Sequence, residues 1–331
     1  MTARVITVDP LHPDPALLRG AASLLRAGNL VAFPTETVYG LGGLALSEAA
    51  LSAIFRAKGR PPTHPLIAHV LGVDQARALV SAWPAEAGAL ADRFWPGPLT
   101  LVLPRRESVP AALSGGKPTV AVRAPAHLVA RALLAAVGAP LAAPSANRYQ
   151  ALSPTLAVHV QRSLGERIPL ILDGGPCALG LESAVVDLSG TSPRLLRPGT
   201  LSLEELRAVL PKLELGPQAA SIESERHSPG QDAVHYAPRA PLEIVSRSDA
   251  LARSAACASV GVVLRGGPAP GGAHQVLLSR EAAAFATGLF AALHALDAAG
   301  VSAILVEAPP ASAPWRAVRD RLDRAGRKRE R

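Results

Sequence analysis

Hydroxyls, fixed cations and rigid turns crowd into one stretch in the first fifth of the chain. It reads PTETVYG (Pro34 to Gly40), LGG, and then AKGRPPTHPLIAHV (Ala57 to Val70). A threonine-rich turn leaves an apolar strand. Lys58 and Arg60 follow in a loop stiffened by Pro61, Pro62 and Pro65. A guanidinium grips two phosphate oxygens at once, and an ammonium adds a mobile point charge. The stretch predicts binding of an anionic ligand, above all a phosphate.

Further polar clusters sit at predicted strand ends, where open α/β sheets bind ligands. Arg123 closes the apolar run TVAV and is followed by Ala-Pro. Pro144 to Asn147 follow a buried run, and Ser153-Pro154-Thr155 opens a helix. The glycine-rich DGGPCALGLES (Asp173 to Ser183) leads into a strand, and Arg197-Pro198-Gly199 ends another. Each has a plainer reading as a surface salt bridge, a turn, an N-cap or a hairpin loop. Two common nucleotide signatures fail. Gly40, Gly42 and Ala45 fit G-x-G-x-x-A, but no acidic residue stands about 20 positions on to hold a ribose. Gly115-Gly116-Lys117 is followed by Pro118 where a P-loop needs Ser or Thr. The residues predict neither an NAD site nor a Walker motif.

The elements that would position these groups alternate. A helical stripe covers 14–27, and NLVAFPT (29–35) reads as a buried strand. Ser47 caps a helix ending near Lys58. Strands are expected at 66–71, 99–104, 119–125, 141–147, 170–174, 183–188 and 194–199. Helices are expected near 73–82, 85–94, 127–137 and 202–211. This is an α/β unit with a twisted mixed sheet and flanking helices. Residues 212–241 hold Pro217, Pro229, Pro238 and Pro241 and read as a linker. Beyond it, short strands and helices alternate again: strands 243–246, 260–266, 274–279 and 303–309, helices near 248–257, 280–299 and from about 314. They form a small Rossmann-like C-terminal domain. The expected division is 1–211, 212–241 and 242–331.

Composition narrows the class. Of 331 residues, 49% are apolar and 18% charged, which fits a soluble globular chain packed mostly by Ala, Val and Leu. No basic segment precedes an apolar run at the start, and no run reaches a membrane span. Cys177 and Cys257 stand far apart, which argues against a disulfide framework or a cysteine-rich zinc site and suits a reducing cytoplasm. The net charge of +8 invites a nucleic-acid reading, but residues 316–331 alone supply +5. A basic, solvated terminal helix is the simpler expectation for that tail.

Taken together, the ordered motifs resemble one family. PTETVYGLG, AKGRP…PL, WPGPLTLVL (95–103), VAVRAPAH (120–127), APSAN (143–147) with SPT (153–155), DGG…G.ES..VD (173–187) and LRPG (196–199) are similar to the YrdC-type domain over residues 5 to 211. SPGQDAVHYAP (228–238) with a Rossmann-like tail resembles its two-domain members, the L-threonylcarbamoyladenylate synthases. That resemblance implies formation of threonylcarbamoyl-AMP and diphosphate from L-threonine, bicarbonate (or CO2) and ATP, for the N6-threonylcarbamoyl modification of adenosine 37 in tRNA.

Carried over residue by residue, it implies catalytic charge from Lys58 and Arg60. It implies threonine contacts from Thr37, His69, Arg123, the Ala143 backbone and Ser183, with Arg123 pairing the carboxylate. It implies ATP contacts from Arg60, His64, Thr119, Ser145, Asn147, Ser153 and Arg197, with Tyr236 reaching in from the linker as part of a lid. His64 departs from the Asn usual in the family. Mg2+ is implied as the counter-ion of ATP, with no protein ligand set identified. A tRNA threonylcarbamoyl transferase complex would take the product in the cytoplasm, with at most a weak tRNA contact and no membrane. Cys177 is expected to be a packed, inert thiol. The competing expectation is an RNA-binding module acting in translation or ribosome assembly. A carbamoyl-transfer maturation enzyme would need cysteine-rich zinc segments, which this chain lacks.

Overall fold

Eleven strands from the first two-thirds of the chain join one mixed sheet in the computed structural model, which describes residues 2–216, 235–267 and 274–327. The strands are β1 (Arg4–Thr7), β2 (Val31–Phe33), β3 (Gly40–Leu44), β4 (Ile67–His69), β5 (Leu99–Pro104), β6 (Thr119–Arg123), β7 (Leu141–Ala142), β8 (Leu170–Asp173), β9 (Ala184–Asp187), β10 (Arg194–Arg197) and β11 (Glu214–Leu215). Their spatial order is β1-β8-β2-β3-β7-β4-β6-β5-β9-β10-β11. The flanking helices are α1 (Pro15–Arg26), α2 (Glu48–Lys58), α3 (Val73–Arg77), α4 (Ala85–Phe94), α5 (Leu128–Val137), α6 (Ala157–Leu164) and α7 (Leu203–Val209). The crossing order brings the ends of β2, β6, β7, β9 and β10 together, and with them the polar clusters of the sequence.

Strand periodicity divides the core. In β2, Val31 and Phe33 pack with Leu18, Leu25, Leu133 and Leu134 of α1 and α5, whereas Ala32 faces the opposite core. Local chemistry sets the helix ends. Asp14 accepts from Ala16 N, and Pro15 opens α1. Ser47 accepts from Ala50 N, and Gly59 ends α2 in the left-handed conformation. Ser202 and Glu205 form a capping box on α7.

The second sheet is parallel throughout, in the order β12-β15-β13-β14. It contains β12 (Leu242–Val245), β13 (Val260–Arg265), β14 (Gln275–Leu278) and β15 (Ala303–Glu307). Helices α8 (Arg247–Ala256), α9 (Ala282–Ala298) and α10 (Arg316–Ala325) cover it. Its core does not stay within that unit. Phe285, Leu289, Phe290 and Leu322 share one apolar cluster with Val38, Leu152, Leu181 and Tyr236. Gly180 shows how close the units come. It has φ +71, and a Cβ there would collide with the Thr287 carbonyl of α9.

Several expectations need correction. β1 and β3 were not legible as strands. β3 reads GLGGL, and glycine is poor in strands. It exists because a Cβ on Gly42 would meet the Phe33 ring at 2.8 Å, so only glycine lets the hairpin close. α3 ends at Arg77, short of residue 82. The expected linker is partly sheet, since β11 pairs with β10. SPGQDAVHYAP lies mostly outside the described residues; only His235 onward is described. The terminal helix is not simply solvated. Arg321 and Arg324 of α10 are 1% and 3% exposed.

Candidate functional site

The turn after β2 organises the amino-terminal half of the site. Thr35 Oγ1 accepts from the amides of Thr37 and Val38 and donates to the Val38 carbonyl at 2.6 Å. This local ring turns the Thr37 hydroxyl toward β6, where Arg123 Nη2 donates to it at 2.9 Å. The same nitrogen lies 2.7 Å from Glu36 Oε1, and Ala126 N donates to Glu36 Oε2. Burial works against the Glu36 charge, but Arg123 and the hydrogen bonds win and hold its pKa below the ordinary value. Arg123 Nε also donates to the Gly97 carbonyl. His69 sits opposite Arg123 in the parallel β4–β6 register. Burial and that guanidinium depress its pKa to about 3, so it is a neutral imidazole.

The cationic loop starts at the end of α2. Lys58 Nζ donates to the carbonyls of Ser145 and Asn147, at 2.5 and 2.6 Å. Tyr149 N donates back to the Lys58 carbonyl. Lys58 thus fixes the Pro-Ser-Ala-Asn turn. Burial and the nearby Arg60 push its pKa well below the ordinary lysine value, while the two carbonyls favour the ammonium. Gly59 reverses the chain, so that Arg60 folds back to donate to the Pro65 carbonyl at 3.1 Å. The Arg60 guanidinium lies over the Tyr149 ring.

β9 and β10 bring a third cation. Arg197 donates from Nε to the Ser183 carbonyl and from Nη2 to Ser183 Oγ, both at 3.1 Å. Ser183 Oγ also pairs with Thr100 Oγ1 at 2.8 Å. Gly199 lets the strands close, because a Cβ there would collide with the Ala184 amide. The neighbouring Glu182 accepts from Ser153 Oγ on one oxygen and from Arg321 Nε, at 2.7 Å, on the other.

One cavity receives these groups. Thr37, Arg60, His69, Arg123, Ala143, Ser145, Arg197 and Tyr236 line it, together with Glu182 and His235. Lys58, Ser183, Asn147 and Ser153 stand behind that wall through the bonds just described. His64 is buried against the Tyr149 ring. Thr119 begins β6, at the opposite end from Arg123, and does not line the cavity. Glu36, Glu182, His235 and Arg321 were not foreseen. Glu36 and Glu182 lay inside quoted motifs, but nothing in their spacing marked them as partners of distant arginines.

Residues 235–237 complete one side of the cavity. His235 and Tyr236 enter it, Ala237 bridges to Ala151, and Ala237 N donates to the Gln150 carbonyl. Tyr236 adopts φ +60, a conformation that a bulky residue rarely takes. Its ring packs on Phe290 and under the Arg321 guanidinium. Tyr236 Oη, His235 Nδ1 and Asn147 Oδ1 are buried without a hydrogen-bond partner. A buried polar atom without a partner costs about 1–3 kcal/mol, so three together point to a ligand that supplies the partners. Cys177 is buried, and its thiol pKa is pushed up by burial, which makes it unreactive. Among the described residues no group of three or more His, Cys, Asp or Glu side chains stands together, and no helix is long and apolar enough to cross a membrane.

A family model named Sua5_yciO_yrdC, described as Telomere recombination, matches residues 23–199. The chain belongs to this family. A second model, described as Threonylcarbamoyl-AMP synthase, C-terminal domain, matches residues 201–326, so the family member is of the two-domain type. The threonylcarbamoyl-AMP synthase of Pyrococcus abyssi is 43% identical over 321 residues, 93% of each chain. The one of Bacillus subtilis is 42% identical over 245 residues, 74% of this chain and 71% of the relative. The crystal structure of P. abyssi Sua5 complexed with L-threonine matches with a TM-score of 0.89 at 40% identity and covers 98% of both chains. Escherichia coli YciO, at 23% identity and a TM-score of 0.55, shares the fold over 62% of this chain.

Proposed function

We propose that this chain is a threonylcarbamoyl-AMP synthase, which joins L-threonine, bicarbonate or CO2, and ATP into L-threonylcarbamoyladenylate and diphosphate. The observation that carries the reading is the single cavity where a neutral, hydroxyl-bearing half and a cationic half face each other. Kinship to synthases of this name across nearly the whole chain, and to a relative crystallised with L-threonine, supports it. The catalytic unit is residues 1–211, the strap is 212–241 and the C-terminal unit is 242–331.

In the first half, Arg123 and Thr37 receive the threonine carboxylate, and neutral His69 meets the hydroxyl. Ser183 and the Ala143 backbone complete the fit. The threonine amine must be neutral to attack CO2. Its lone pair forms the N–C bond and one proton leaves, giving a carbamate. A carbamate oxygen then attacks the α-phosphorus of ATP, and the bond to the β-phosphate oxygen breaks to release diphosphate. No protein nucleophile is required. Alignment and charge neutralisation do the work. Arg60 and Arg197 supply that charge on the nucleotide side, with Ser145 and Tyr236 beside them and Lys58, His64 and Ser153 supporting them from behind; Thr119, at the far end of β6, stands apart. Mg2+ would come with the triphosphate and would neutralise part of its charge. Asn147 Oδ1, buried without a hydrogen-bond partner, would be a candidate acceptor for that side of the site. His235 and Tyr236 at the cavity wall would help to exclude water from a labile mixed anhydride. The product passes to a tRNA threonylcarbamoyl transferase complex in the cytoplasm.

The decisive experiment measures diphosphate released by the full chain from ATP. Release is expected only when threonine and bicarbonate are both present. ATP turnover that ignores threonine would overturn the reading.

A further inference from the structure

The C-terminal unit places one residue inside the candidate site's supporting shell. Arg321 lies in α10, far from every motif of the first unit, and is 1% exposed. Its Nε donates to Glu182 Oε2 at 2.7 Å and its Nη2 to the Pro198 carbonyl at 3.0 Å. Its guanidinium sits 5.1 Å from the centre of the Tyr236 ring. Asp320 holds the remaining arm at 2.6 Å, and Asp320 is in turn held by Arg324. One planar cation therefore touches three segments that carry nucleotide-side residues. These are the glycine-rich loop through Glu182, the Arg-Pro-Gly turn beside Arg197, and the strap through Tyr236. Glu182 passes the constraint to a fourth segment, because its other oxygen accepts from Ser153 Oγ.

The charges explain why an arginine is needed there. Glu182 lines the cavity, and a bare carboxylate at that wall would repel a polyphosphate. Arg123 and Glu36 cancel in the amino-acid half. Arg321 cancels Glu182 in the other half, which leaves Arg60 and Arg197 on the cavity wall, with Lys58 behind it, to offset the anion. The planar fork matters as much as the charge, since Glu182, the Pro198 carbonyl and the Tyr236 face lie in different directions.

We propose that Arg321 is a positioning residue for ATP, by which the C-terminal unit both neutralises Glu182 and fixes Tyr236 and the Arg197 turn. The proposal rests on the synthase reading and deepens it. Arg321 touches neither reactant. It acts through Glu182, Ser153 and Tyr236.

The test compares wild type with Arg321→Met and with the double variant Arg321→Met/Glu182→Gln, by threonine-dependent diphosphate release and by calorimetry with ATP alone. Arg321→Met is expected to raise the KM for ATP by about twentyfold or more, the scale of a buried charge left unpaired, while the KM for threonine stays within about threefold. Removing the carboxylate as well is expected to recover about fivefold or more of the ATP affinity. An unchanged KM for ATP, an equal rise for both substrates, or no recovery in the double variant overturns the proposal. Should Arg321→Met not fold, Arg321→Lys decides. It keeps the charge but not the fork, so the KM for ATP is expected to rise about fivefold with threonine unaffected, and a wild-type KM overturns the proposal. If wild type itself releases no diphosphate with threonine, the synthase reading fails, and ATP calorimetry on the same variants still decides the role of Arg321.

Discussion

Arg123 Nη2 lies 2.7 Å from Glu36 Oε1, so the arginine expected to meet a substrate carboxylate already holds one of the protein's own. The pair spans the turn after β2 and the end of β6, and both side chains are buried. Glu36 thereby keeps Arg123 aimed across Thr37 rather than free to swing.

Glu36→Gln is expected to lower the stability of the ligand-free protein by about 3 kcal/mol at pH 7, because it leaves a buried guanidinium short of its counter-charge. The pH dependence has a definite sign. The folded pKa of Glu36 is depressed, so its contribution is present above its ordinary value of 4.5 and is lost as pH falls through the lower folded value. Urea titrations from pH 7 down to about pH 3 should show a flatter acid limb for the variant. Parallel curves would remove the ion pair from the account.

Lys58→Ala removes two short bonds to the Ser145 and Asn147 carbonyls. Turnover is expected to fall by about a hundredfold or more, the usual scale for losing a preorganised cationic donor. Circular dichroism should remain that of a folded protein. Near-normal turnover would show that Lys58 merely props the turn.

Tyr236→Phe separates ligand binding from packing. The hydroxyl is buried without a partner, so its removal should leave the free protein as stable, or more stable by about 1 kcal/mol. ATP affinity should nevertheless fall, since the ligand loses the donor that was waiting for it. Weaker thermal stability with unchanged ATP affinity is the result that would count against this assignment.

His294 of α9 stacks on His159 of α6 at 3.8 Å between ring centres and bonds the Ser153 carbonyl. Burial depresses His159 to about 3 and His294 to about 4; Arg162 lowers both, and Asp297 opposes on His294. Both rings are neutral when folded and protonate near 6.5 when unfolded. Stability should fall as pH drops from 6.5 toward 4, by up to about 1.4 kcal/mol per pH unit for each ring. His294→Gln keeps a donor for Ser153 and should lower the slope by about one proton. An unaltered slope would mean that the stacked pair does not titrate with unfolding.

The strand-and-helix rhythm was legible because helices show their burial as a 3.6 period and the buried strands as short continuous apolar runs. NLVAFPT and TVAVRAP could hardly be anything but strands. The failures have particular causes. GLGGL is a strand only because Phe33 occupies the room beside Gly42, a contact that no local pattern encodes. The arginines of α10 resemble any solvated basic tail, yet Arg321 is buried because Glu182 and the Pro198 carbonyl await it, and Arg324 is buried against Asp320 one turn away. The candidate site was legible where its residues sit in dense motifs, as Lys58 and Arg60 do. It was not legible where a carboxylate pairs across the fold, as Glu36 and Glu182 do, since pairing over 87 or 139 positions leaves no trace in spacing.

The shared apolar cluster sets an order of events during synthesis. A ribosome makes about 5–20 residues per second, so the eleven-stranded sheet can assemble seconds before α10 emerges. In that interval Val38, Leu152 and Leu181 have no cover, and Glu182 has no arginine. A chain cut short after residue 216 would keep every strand of the first sheet and still lack both the roof over its cavity and the cation behind it. The cavity of the nascent protein thus gains that roof and that cation only once α10 has been made.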